Sequence, residues 1–129
     1  MKDILVPLSP GEMLDKITIL RIKAARMSDA AKVANVKHEL SLLEKTWKDS
    51  GAAAVDLGAE EANLTRVNEA LWVIEDDIRD EERAQRFGEK FIELARAVYV
   101  TNDERAAIKK RINTLLGSTI VEEKSYQQY

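Results

Sequence analysis

The chain has no cysteine, one histidine, two prolines and five glycines among its 129 residues. Without cysteine there is no disulfide framework, no thiol nucleophile and no thiolate zinc site. His38 alone excludes a multi-histidine metal centre. So few prolines and glycines cannot supply the turn every ~8–12 residues that an all-β sandwich or barrel needs. No run approaches the roughly 18 apolar residues of a membrane span. The opening Met1-Lys2-Asp3-Ile4-Leu5-Val6 does not read as a signal peptide, having one basic residue and no long apolar stretch. A Gly-rich phosphate loop, a Ser/His/Asp set and a Walker-type motif are also missing, so nucleophilic catalysis is not expected.

What is present is 45% hydrophobic and 33% charged sequence, enough for one domain over residues 1–129 with a single core. The net charge of −3 is uneven: residues 1–50 carry +2, residues 51–86 carry −6 and residues 87–129 carry +1. A protein that grips nucleic acid needs a basic surface, so no nucleic-acid partner is expected.

Local signals predict an all-α fold. An extended lead, Ile4 to Leu8, precedes Ser9-Pro10-Gly11-Glu12, which reads as an N-cap, a proline at the first helical position and a glutamate completing a capping box. Gly11 is the odd choice in that helix and suits close approach of another backbone or a ligand. The first helix is expected over Pro10 to about Met27. Ser28-Asp29 breaks it and caps a second helix to about Asp49, with Val33, Val36, Leu40, Leu43 and Trp47 on one face. After a small-residue loop from Ser50 to Gly58, a third helix carries Leu64, Val67, Leu71, Ile74 and Ile78, the 3-4-3-4 seam of a bundle. Phe87-Gly88 interrupts, and a fourth helix of about 27 residues, roughly 40 Å long, stops at Gly117. The expected architecture is a four-helix antiparallel bundle built from two helical hairpins, with an ordered C-terminal tail. In that tail Ile120-Val121 is expected to dock and Gln127-Gln128-Tyr129 to fray. Long helices with heptad-like seams make a homodimer plausible.

Three groups of residues are candidates for chemistry. The acidic run 75–82 places Asp76 and Asp80 on one helical face beside Glu75. Hard oxygen ligands of this kind suit Mg²⁺, as in all-α nucleotide pyrophosphohydrolases, although the second acidic motif of those enzymes is lacking here. The plainer reading is a solvated face with Arg79 and Arg83 as intrahelical partners. Glu12, Asp15 and Lys16 open the first helix, where capping and an Asp15–Lys16 ion pair would explain them, or where an anion could be received. Thr18 lies off the apolar stripe nearby. Thr101-Asn102-Asp103 are poor helix formers in mid-helix, and Asn102, Arg105, Lys109 and Asn113 form a polar stripe that either fixes register or lines a pocket. Trp72 flanks the third seam, in a stripe with Asn68, Glu75 and Arg79. Glu122-Glu123-Lys124 could fold back onto the basic residues of the fourth helix.

Ser9-Pro10-Gly11-Glu12 with Asp15 to Leu20, Leu71-Trp72-x-Ile74-Glu75-Asp76, Asn102-Asp103-x-Arg105-Ala106 and Gly117-Ser118-x-x-Val121-Glu122-Glu123-Lys124-Ser125-Tyr126 together resemble a family of small bacterial and phage proteins catalogued as a domain of unknown function. The resemblance covers Ile4 to Tyr126. It implies a compact helical cytoplasmic protein, in places associated with surface-polysaccharide and glycosyltransferase genes, and it carries over no catalytic residue. It also groups the motifs: Glu12, Asp15, Lys16, Glu75, Asn102, Arg105, Lys109 and Glu122 are expected to converge on one polar pocket. The expected function is a non-enzymatic binding module without a cofactor, taking a protein partner or a small anionic or sugar ligand. The alternatives are a Mg²⁺-dependent enzyme using Glu75, Asp76 and Asp80, and a purely structural oligomer.

Overall fold

A computed structural model describes every residue, 1–129. Four helices follow an extended lead: α1 (Pro10–Arg26), α2 (Ala30–Asp49), α3 (Glu60–Arg83) and α4 (Glu89–Leu115), with one 3₁₀ turn, Ala52–Ala54, between α2 and α3. There is no strand, and the chain is an all-α bundle of two antiparallel hairpins, α1–α2 and α3–α4. None of the helices is long and apolar enough to cross a membrane.

The helix boundaries follow from local chemistry. The Ser9 hydroxyl accepts the Glu12 N–H at 3.3 Å, and the Asp29 carboxylate accepts the Lys32 N–H at 3.0 Å. The capping box is only half made, because the Glu12 carboxylate turns to lysines instead of back to Ser9. Helix α4 runs unbroken through Thr101-Asn102-Asp103. It ends where Gly117 takes a left-handed φ of 64° and Ser118 N–H reaches back to Asn113 O at 2.9 Å, a turn that glycine makes without steric cost.

The core lies where α1 crosses the α3–α4 hairpin. Leu14, Leu57, Leu64, Val67, Leu71, Ile108 and Ile112 form one buried cluster, with Trp47 and Leu116 packed against it. Burying each such side chain contributes roughly 1.5–3 kcal/mol. Helix α1 packs against all three others, and so even its off-stripe positions Asp15 and Thr18 are buried. Helix α2 leans on α1 along the expected face, Val33 to Trp47, yet none of its residues is fully buried.

The tail departs from expectation. Ile120 and Val121 are exposed and do not dock, since the tail is held by charged side chains that leave apolar ones outside. Tyr129 stays largely exposed, with its ring centroid 5.0 Å from that of Tyr99.

Candidate functional site

A polar network runs through the helix crossing. The Asn68 amide, 5% exposed on α3, donates to Asp15 Oδ1 at 2.9 Å and to Thr18 Oγ1 at 3.0 Å, while the Thr18 hydroxyl donates to the Asp15 carbonyl at 2.8 Å. Asp15 is therefore drawn inward and does not pair with Lys16, which reaches Glu12 at 3.7 Å. On the outer side of Asn68, its carbonyl faces the Arg105 guanidinium at 3.5 Å. Arg105 is half-buried and forms no ion pair.

A second cluster sits at the start of α1. Lys109 Nζ lies 2.5 Å from Glu12 Oε2 and 3.3 Å from Glu122 Oε2, and the Ser9 hydroxyl donates to Glu122 Oε1 at 2.9 Å. The tail thus folds back on α4, with Lys124 3.3 Å from Asp103 as a further tie. Beside it the Gly11 N–H donates to Asn113 Oδ1 at 2.7 Å.

Burial pushes the Glu12 carboxyl up, but the Lys109 ammonium bonded to it, with Lys16 and Arg105 nearby, outweighs this and holds it below its ordinary value of 4.5. Burial likewise pulls Lys109 down, and Glu12, Asp15 and Glu122 outweigh that and raise it above 10.5. A depressed carboxylate stabilises the fold above its unfolded-state value and loses that contribution as pH falls through the folded one. A raised lysine contributes below its unfolded-state value and loses it as pH rises through the folded one. Glu12→Gln is therefore expected to lose roughly 1 kcal/mol at neutral pH. Its deficit against the wild type should shrink as the solution is acidified below pH 4.5. Urea midpoints measured across that range check this; a deficit independent of pH would show that the Glu12 charge is not what stabilises.

Between α1, α3 and α4 lies an open groove of about 380 Å³ lined by Ile19, Asn68, Leu71, Trp72, Glu75, Asp76, Asn102 and Arg105. This volume falls in the range of small-molecule sites, which combine apolar walls with a few placed polar groups. Here Ile19, Leu71 and the Trp72 indole supply the walls, and two amides, two carboxylates and one guanidinium supply the polar groups.

The eight expected site residues divide between these neighbouring clusters. Glu75, Asn102 and Arg105 line the groove, and Asp15 lies under it through Asn68. Glu12, Lys16, Lys109 and Glu122 form the ion-pair cluster one turn of α4 away. Within the acidic run, Arg79 pairs with Glu75 and Arg83 with Asp80 at 2.7 Å on the exposed side, whereas Glu81 is buried. No group of three or more carboxylate or imidazole side chains is gathered in a way that could hold a metal ion. Asn68 is the central residue that the candidate set omits. Its signal was an amide between Val67 and Leu71, adjoining the apolar seam. His38 is exposed and away from both clusters.

Fold and site together define a small all-α protein whose two hairpins are joined by a buried polar network that opens into one groove. The chain belongs to a family described as a family of unknown function (DUF6165), whose match spans residues 4–129. No curated protein and no solved structure matches it.

Proposed function

We propose that the chain is a cytoplasmic binding module and not a catalyst, that its groove takes a sugar or sugar-bearing ligand, and that this serves the assembly of surface polysaccharide. The observation that carries the reading is the convergence of Trp72, Asn68, Asn102, Glu75 and Arg105 around one opening. A pyranose has an apolar face of C–H groups and an equatorial rim of hydroxyls. The indole suits the first. Amides, carboxylates and a guanidinium offer both acceptors and paired donors to the second. Arg105, free of any carboxylate partner, would also receive an acidic sugar or the phosphate of a sugar nucleotide.

The test is a titration of the full chain with a panel of neutral sugars, acidic sugars and sugar nucleotides, read by tryptophan fluorescence in a Trp47→Phe background so that Trp72 is the reporter. At least one class is expected to change the signal saturably, with affinity reduced roughly tenfold or more in Arg105→Ala. The reading fails if no class binds, or if Arg105→Ala binds as well as its parent.

A further inference from the structure

The α3–α4 hairpin is covered over only part of its length. Hydrogen bonds and ion pairs from α1 reach these helices at Glu61, Asn68, Lys109 and Asn113 and nowhere beyond. The consequence shows along a single stripe of α3: Leu64 and Val67 are fully buried and Leu71 nearly so, whereas Ile74 and Ile78, continuing the same 3-4 spacing, are only half-buried. Between Trp72 and Val100 the one buried residue is Glu81. That carboxylate accepts Arg86 Nε at 2.6 Å and lies 3.4 Å from Lys90, which ties the turn of the hairpin together. The arm is thus a formed element that lacks a third layer.

Its open face has a definite character. On α4, Phe91, Ile92, Ala95, Val98 and Tyr99 share one helical face by their i, i+1, i+4, i+7, i+8 spacing. Ile92 is 54% exposed, and Tyr99, 41% exposed, meets the tail's Tyr129 at the end of the stripe nearest the core. The stripe continues the side of α4 that bears Asn102, on the groove. Across from it, α3 presents Glu75 and, two turns further along the same face, Glu82. Residues 72–100 hold eight carboxylates against five cations. Two copies of such an arm repel one another, and a cationic partner is attracted.

We propose that this arm is a docking surface for a basic amphipathic helix of another protein, whose apolar face covers the Phe91–Tyr99 stripe while its lysines or arginines meet the acidic α3 side. This is the helix-in-groove mode, in which the partner supplies the missing third layer. The surface adjoins the sugar groove and shares Glu75 with it, but Arg105 plays no part in it, so Arg105→Ala separates the two readings.

The probe is a synthetic 18-residue helix with leucines along one face and lysines elsewhere, titrated into the isotope-labelled full chain at low and high salt. A counterpart with glutamates for lysines serves as control. Expected are saturable amide shifts confined to residues 72–104, affinity that falls as salt rises, and roughly tenfold weaker binding in Ile92→Asp and in Glu82→Lys. Both positions are exposed, so these variants should fold. Arg105→Ala should bind the probe as the wild type does. The proposal is overturned if the glutamate helix binds equally well, or if the shifts fall outside the arm. It is also overturned if sedimentation shows a homodimer that Ile92→Asp converts to monomer, since a second copy would then be the occupant.

Discussion

Replacing Gly11 with alanine is expected to destabilise the fold by roughly 2–3 kcal/mol, although alanine is ordinarily the better helix residue by about 0.5–1 kcal/mol. A Cβ at this position would stand 2.5 Å from the backbone oxygen of Lys109 and 2.8 Å from Asn113 Oδ1. The first neighbour is the main chain of α4 and cannot rotate away. The second is the acceptor of the Gly11 N–H, so the shift that relieves the clash also stretches that bond. Moving α1 outward would in turn loosen Leu14 against Ile108 and Ile112, all nearly fully buried. For a domain of this size the loss corresponds to a drop in Tm of about 10 °C, readable by calorimetry or circular dichroism. An alanine variant as stable as the wild type would mean that the helices do not approach this closely.

The second large effect is expected from Asn68→Leu. Leucine fills similar space but offers nothing to Asp15, whose side chain is 5% exposed and receives its inter-helix hydrogen bond from the Asn68 amide. A carboxylate left in that position without its donor costs more than the hydrogen bond itself, and a loss of roughly 3–4 kcal/mol is expected. The double variant Asn68→Leu/Asp15→Val removes both polar partners and should regain at least half of that loss. Chemical denaturation of the single and double variants measures the difference. If the double variant is no more stable than Asn68→Leu, the penalty comes from packing and not from the stranded charge.

Much of this architecture was legible locally. Ser9, Asp29, Phe87-Gly88 and Gly117 mark helix ends because capping and left-handed turns depend on one or two residues, and the seam of α3 declares itself by spacing alone. What spacing cannot tell is how much will cover a face. The stripes of α2 and α3 are equally regular, but Leu64 is fully buried and Leu40 only half, since one helix is clasped from two sides and the other leans on a single neighbour. The inward turn of Asp15 was illegible for the same reason: it depends on Asn68, 53 positions away. The candidate site was read as one pocket, whereas Lys109 draws Glu12 and Glu122 into an ion cluster, with Lys16 attached through Glu12, and leaves Arg105 to face the groove.

The closing contacts of α1 have a temporal meaning as well. Gly11 meets Asn113 across 102 positions, and Ser9 meets Glu122 across 113. On a ribosome adding about 5–20 residues per second, the first helix emerges early and must wait until almost the entire chain has been made before its N-terminal contacts with α4 and the tail can close. Until α3 emerges, α2 is the only helix available to pack against α1, and α3 follows before α4 is complete. The α1–α2 hairpin is thus the first packed pair the chain can form, and the contacts of Gly11 and Ser9 with Asn113 and Glu122 are the last to close.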